Sequence, residues 1–223
     1  MTMPALERQP RLVHAFSTLR LGSMRDPEAR HAMLLALGLA PRRLTLARVV
    51  HGVGTARVDA ARGAVENVDI LVTDRPGLPL MAGFADCYPL LLFDPAGRVA
   101  LAHAGWRGTA AGVAGAAVNA LEREYGSQPR QLLAGIGPGI CGRCYEVGDE
   151  VAEGFSRDVV RPSEGGKYLL DLAEANRRAL VNAGLDPDRV HLHGACTVET
   201  DWLPSHRRDA DGRRFAAVVA LRA

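Results

Sequence analysis

The sequence is poor in several features that would mark a function at once. Aromatic residues make up only 5% of its 223 residues, too few for a platform on which successive bases stack. Charge of either sign is not in excess: 27 Lys and Arg against 25 Asp and Glu leave a net +2. The arginines are scattered, so nothing argues for a nucleic-acid partner. No apolar run reaches membrane length, and the opening MTMPALERQPR has no signal-peptide core. A cytoplasmic protein without membrane association is expected. No linker, repeat or low-complexity stretch divides the chain, which is long enough and, at 48% hydrophobic, apolar enough for one sizeable core. One domain over residues 1–223 is expected. Four cysteines in a reducing compartment favour metal binding or catalysis over disulfides.

What is present is concentrated between Leu80 and Thr109. Leu80 to Ala85, Pro89 to Phe93 and Val99 to Ala102 read as strands buried on both faces, because their apolar residues run on without alternation. They lead into Asp86-Cys87, an Asp94-Pro95-Ala96-Gly97 turn, and His103. Further strands are expected at Leu12–Phe16, Leu44–Val50, Val68–Thr73, Leu132–Ile136, Val190–His193 and Phe215–Leu221. Asp26-Pro27 opens a helix to about Leu37. An Ala-rich helix is expected from Thr109 to Tyr125, a short one from Asp149 to Phe155, and one to Asn182 behind an Asp171/Glu174 capping box. Several strands follow one another directly, so the fold class is α/β of the α+β kind, with mixed sheets layered with helices.

Three residues share a context: His51, Cys87 and His103 each follow an apolar strand. Two imidazoles and a thiolate are a three-ligand zinc set with its fourth position open. The same atoms also make a cysteine nucleophile with a histidine base. Cys141-Gly-Arg-Cys144 could be half of a structural zinc site completed by Cys196, His191 or His193, or a redox pair; two loop cysteines are the simpler expectation. His191 and His193 alternate on a strand and read as surface histidines. Gly135-Ile-Gly-Pro-Gly139 fits no phosphate-binding fingerprint and reads as a tight turn crossing the site. Arg107 stands at a helix start, where free N–H groups favour an anion. Arg207 and Arg208 could clamp a phosphate, but a solvated loop pair is the simpler expectation.

The combination of His51-Gly52, NVDILVTD at 67–74, ADC at 85–87, AHAGWRGT at 102–109, GIGPGI at 135–140, CYEVG at 144–148, CT at 196–197 and SHRRD at 205–209 resembles one family. It is the laccase-domain family, once named multicopper polyphenol oxidoreductases. Its members are now described as zinc-dependent purine nucleoside phosphorylases with adenosine deaminase activity, and some as peptidoglycan-editing factors. The resemblance implies metal ligands and catalytic residues at His51, Cys87 and His103, with zinc as the cofactor and copper as the older assignment. It implies purine nucleosides (adenosine, inosine, guanosine, methylthioadenosine) and phosphate as small-molecule partners, with Arg107 and Arg30 as substrate-binding residues. It also carries the competing readings: a cysteine hydrolase editing peptidoglycan precursors, a copper-dependent polyphenol oxidoreductase, and a zinc-stabilised protein without activity. Seven histidines are too few for several copper clusters. The chain departs from the family before the Asp26 helix, where a glycine-rich segment is shortened, and at Ala29-Arg30 and Val49, positions that wall the family's pocket.

Overall fold

The computed structural model describes residues 1–223. In chain order the strands are β1 (Leu12–Phe16), β2 (Thr45–Arg48), β3 (Thr55–Arg57), β4 (Gly63–Glu66), β5 (Ile70–Thr73), β6 (Leu80–Phe84), β7 (Tyr88–Asp94), β8 (Arg98–Ala104), β9 (Leu133–Ile136), β10 (Glu146–Val147), β11 (Val160–Pro162), β12 (Tyr168–Leu170), β13 (Val190–Leu192) and β14 (Phe215–Leu221). The helices are α1 (Pro4–Glu7), α2 (Pro27–Ala36), α3 (Trp106–Ala110), α4 (Val113–Tyr125), α5 (Asp149–Ala152), α6 (Leu172–Asn182) and α7 (His206–Asp209).

Two large mixed sheets lie face to face. One has the order β1-β14-β6-β2-β4, the other β13-β9-β7-β8-β5-β3; β10, β12 and β11 form a small third sheet. The lack of alternation in the central strands has its cause here. In β7, β8 and β5, Leu90, Leu92, Ala100, Ala102, Ile70 and Val72 belong to a core shared with α4 and α6. Their neighbours Leu91, Phe93, Leu101, Val99 and Leu71 belong to the core between the sheets, with Phe16, Phe84, Phe215 and Val219 of the other sheet. A third core, containing Met81, Val218 and Ala220, lies under α2 through Ala29, Met33 and Leu34. Helix, sheet, sheet and helix thus form four layers, and every central strand is covered twice.

The helix caps explain where the helices begin. Asp26 accepts the Glu28 N–H at 2.9 Å, with Pro27 in the first turn. Asp171 accepts the Glu174 N–H at 3.0 Å. The expected reciprocal half of that box is missing, because the Glu174 carboxylate is engaged by Arg177 and Arg178 instead. The single helix expected over Thr109–Tyr125 is two helices. Gly112 between them sits at φ +85°, a left-handed conformation that ends α3 and redirects the chain into α4. Helix α5 stops at Ala152, short of Phe155. The strands β3, β4, β10, β11 and β12 have only two to four residues each, too few for a pattern in the sequence to mark them.

Candidate metal centre

Three chain segments bring the functional side chains to one end of the two facing sheets. His51 follows β2 of the first sheet, Cys87 sits where the chain crosses from β6 to β7 of the second, and His103 is the penultimate residue of β8. His103 therefore lies within its strand, opposite Pro89, rather than beyond the strand's end. Their ligand atoms all lie within 4.8 Å of one another. The two imidazole rings meet edge to face with centroids 4.9 Å apart. His103 is only 3% exposed, Cys87 is half-buried and His51 is exposed, so the cluster is open on the His51 side.

Asp69, which lies in the NVDILVTD motif at 67–74 but carries no assigned role there, organises the cluster. The backbone at His51 turns through a left-handed φ of +64°, unusual for a residue with a Cβ. The Asp69 carboxylate holds that turn by accepting the N–H groups of Val50, His51 and Gly52 at 3.3, 2.9 and 2.9 Å. It also faces Nδ1 of buried His103 at 3.4 Å, which leaves the other ring nitrogen of His103 for a ligand. One carboxylate thus sets the backbone of one histidine and the ring of the other. The available signal is an aspartate inside the apolar run Val68–Thr73, which the sequence places wholly in a strand; β5 begins one residue after it, at Ile70.

The electrostatics favour the ligand form of the thiol. Burial by itself pushes the Cys87 thiol up, but hydrogen bonding with His103 and His51 outweighs it and brings the thiol to about 6. Burial likewise disfavours the His103 cation, yet Asp69 and Cys87 raise that imidazole to about 9. A thiolate near neutral pH between two imidazoles suits a borderline-soft divalent ion such as Zn2+. The space for it is also kept open. A Cβ on Gly105 would stand 2.9 Å from Cys87 Sγ and 3.2 Å from the His51 ring, so any larger residue would fill the cradle between these side chains.

Two cavities flank the cluster and share His51, Ala85, Cys87 and Arg214. One, of about 380 Å3, is walled by Trp106, Ile140, Tyr145 and Leu172, with Asp86, Arg107, His206 and Arg207 around it. The other, of about 590 Å3, carries Arg25, Arg30, Arg48 and Arg214 and no carboxylate in its lining. Burial and neighbouring Arg48 lower the pKa of Arg30, and burial and Arg25 lower that of Arg214. Arg30 donates to the carbonyls of Met24 and Arg25.

The remaining sequence candidates distribute as follows. Arg107 stacks over the Trp106 ring at 4.2 Å. Arg207 lies over Tyr145 at 5.4 Å, and its N–H donates to Asp86 at 2.8 Å. Arg208 is no solvated partner to it; it donates to the carbonyls of Thr197, Val198, Thr200 and Leu203 and fixes their loop. The glycine-rich turn does cross the site: Gly137 donates to Pro89 and Ile140 to Asp86. His191 and His193 are half-buried and far from any ligand role, His193 packing edge-on against Phe16. Cys141 and Cys144 are not isolated loop cysteines, because Cys196 and Glu199 join them in a second cluster. No helix is long and apolar enough to cross a membrane.

Residues 26–222 match the family model described as multi-copper polyphenol oxidoreductase laccase. The chain is 39% identical to a purine nucleoside phosphorylase of Deinococcus radiodurans, over an alignment covering 98% of this chain and 94% of that one. It is 38% identical to adenosine deaminase RL5 of an unknown prokaryotic organism, covering 88% and 82%. Among solved structures, YlmD from Geobacillus stearothermophilus superposes with a TM-score of 0.89 at 30% identity, over 99% of this chain and 94% of that chain.

Proposed function

The chain belongs to the multi-copper polyphenol oxidoreductase laccase family, and from that premise we propose that it is a zinc-dependent purine nucleoside phosphorylase with adenosine deaminase activity. The observation that carries this reading is a His-Cys-His donor set standing between an aromatic cavity and an arginine-lined one. The relatives named purine nucleoside phosphorylase and adenosine deaminase support it.

His51, Cys87 and His103 would hold the metal. A zinc ion bound there supplies a Lewis acid and water acidified towards neutrality. The rest of the chemistry falls to the protein. The cavity of about 380 Å3 is within the ordinary range for small-molecule sites. Trp106 and Tyr145 offer ring faces for a purine, and Ile140 and Leu172 exclude water from it. Arg107, stacked on Trp106, stiffens that wall. Phosphate is assigned to the other side. Arg25, Arg30, Arg48 and Arg214 make no salt bridge with any carboxylate, and a gathering of unpaired guanidinium groups is stabilised by an anion. Phosphate held there would stand beside Cys87 and His103, on the opposite side of the donor set from the aromatic cavity. The alternative placement at Arg107 is weaker, because α3 has only 5 residues and is not a developed anion-binding helix. Asp69 keeps both histidines in ligand geometry.

A second reading uses Cys87 as a nucleophile with His103 as its base, and the approach of Cys87 Sγ to both imidazoles, all within 4.8 Å, is the observation that favours it. The two readings separate on one experiment. Phosphate-dependent turnover of a nucleoside panel is measured before and after the metal is stripped and restored, with thiol alkylation as a parallel arm. The zinc reading expects turnover to vanish on stripping and to return with Zn2+. Full turnover of adenosine by metal-free protein, abolished by alkylation, would sink it in favour of the hydrolase.

A further inference from the structure

We propose that the chain holds a second, structural metal ion of the zinc class, bound by Cys141, Cys144, Cys196 and Glu199. The four side chains come from two loops more than 50 residues apart. All their ligand atoms lie within 4.8 Å of one another.

The distances suit a tetrahedral ion. With Zn–S of about 2.3 Å and Zn–O of about 2.0 Å, a sulfur and an oxygen on one zinc stand about 3.5 Å apart. Cys141 Sγ and Cys144 Sγ are 3.6 and 3.5 Å from the same oxygen, Glu199 Oε1. The third sulfur belongs to Cys196, which is buried and accepts the backbone N–H of Cys141 at 3.3 Å. Arg143, inside the C-x-x-C loop, donates to both oxygens of Glu199 at 3.0 and 2.9 Å. It orients the carboxylate and offsets part of the excess negative charge that three thiolates and a carboxylate leave on a divalent ion. Three thiolates select zinc over the oxygen-seeking cations. Four protein ligands close the coordination shell, which is the structural rather than the catalytic pattern. Cys141 also lines a surface cavity of about 360 Å3, which gives the ion a way in.

The position of the cluster says what the ion would do. Beside it, Gly139 pairs with Cys196 as an isolated bridge. One residue beyond Cys196, Thr197 donates to Asp86 Oδ1 at 2.5 Å, while Ile140 donates its N–H to the Asp86 carbonyl at 3.0 Å. Asp86 precedes Cys87, and Ile140 and Tyr145 wall the aromatic cavity. An ion at this cluster ties the two loops together behind the cavity wall and takes no part in chemistry.

The test is metal analysis of protein purified under reducing conditions without chelator. The wild type is expected to carry about two equivalents of zinc, with about one left in C87A and about one left in C141S/C144S. Loading C87A with Co2+ gives a second readout: thiolate-to-cobalt charge transfer and strong tetrahedral d–d bands from about one Co2+ per chain. This arm does not depend on whether C141S/C144S folds. R143A is expected to keep the site with affinity about 10- to 100-fold weaker, and E199A, which removes a ligand, to weaken it further. A single equivalent in the wild type that disappears in C87A overturns the proposal. So does a C87A protein that shows no cobalt–thiolate spectrum, or a Cys141–Cys144 disulfide found under the same reducing conditions.

Discussion

Asp69 accepts the backbone N–H of His51 at 2.9 Å while the same carboxylate faces His103 Nδ1 at 3.4 Å. One side chain therefore couples two candidate ligands, one following β2 of the first sheet and one in β8 of the second. Carboxylates that orient a ligating imidazole are worth about 10- to 100-fold in metal affinity. D69N keeps the size of the side chain but gives up the charge, so its affinity for Zn2+ at the His51/Cys87/His103 centre is expected to drop by that factor. Competition with a chelator of known affinity measures it. D69A loses the turn at residues 50–52 as well and is expected to be worse than D69N. Equal affinity in D69N and wild type would mean that the carboxylate is only a backbone cap.

Gly105 offers a sharper perturbation because its φ of −82° is open to any residue. Its role is the missing Cβ, which would stand 2.9 Å from Cys87 Sγ. G105A is expected to lose metal from this centre and at least about tenfold in turnover, one steric clash of about 1.4 kcal/mol being enough for that. Its melting temperature should stay within a few degrees of wild type, since the core is untouched. Separate assays of metal content and thermal unfolding distinguish this outcome from simple misfolding.

Much of this is legible in the sequence. The central strands announce themselves because both of their faces are covered, and an apolar run bounded by turn residues has few other solutions. His51, Cys87 and His103 stand out because they follow such runs. Asp69 does not: it stands one residue before β5, and nothing in the sequence around it signals the backbone turn it holds. Of the arginine-lined cavity only Arg30 stood out, through the family resemblance: Arg25 and Arg30 come from one stretch and Arg48 and Arg214 from two others, and only the stacking of α2 on the first sheet gathers them. Cys196 is one of the residues the sequence offers to complete the Cys141/Cys144 pair, whereas Glu199 joins them only through a parallel approach of two loops, which spacing cannot reveal. The break at Gly112 fell inside an Ala-rich run whose helix propensity masked it.

The arginine-lined cavity predicts a selective kinetic defect. Removing one charge-assisted contact to an anion costs about 1.5–3 kcal/mol, or about 10- to 100-fold in binding. R48A is expected to raise KM for phosphate by about that factor while leaving KM for the nucleoside within about threefold. Arg48 is the better choice than Arg30, whose guanidinium also holds the carbonyls of Met24 and Arg25. Steady-state kinetics with each substrate varied in turn provide the check. A larger effect on the nucleoside would move phosphate to the other cavity.

The amino-terminal segment is fastened by a histidine that must stay neutral. Met3 donates its N–H to His14 Nε2 at 2.8 Å, and the Met1 ammonium donates to the Phe16 carbonyl at 2.9 Å. Burial, opposed by Glu7 and assisted by the N-terminal ammonium and His193, lowers the pKa of His14 to about 4. His193 is lowered as well, first by burial and then by the ammonium. Above pH about 6.5 His14 is neutral in both the folded and the unfolded chain, and its full contribution is present. As pH falls through 6.5 the unfolded chain takes up a proton that the folded chain refuses. Stability is then lost progressively down to pH about 4, with a ceiling of about 3 kcal/mol for His14. H14Q retains an acceptor for Met3 without titrating in this range. Thermal unfolding from pH 7.5 to 4.5 is therefore expected to show a shallower acid decline for H14Q than for wild type, with the residual slope owed to His193 and the carboxylates. Parallel declines would assign the acid sensitivity to other groups and leave His14 as packing alone.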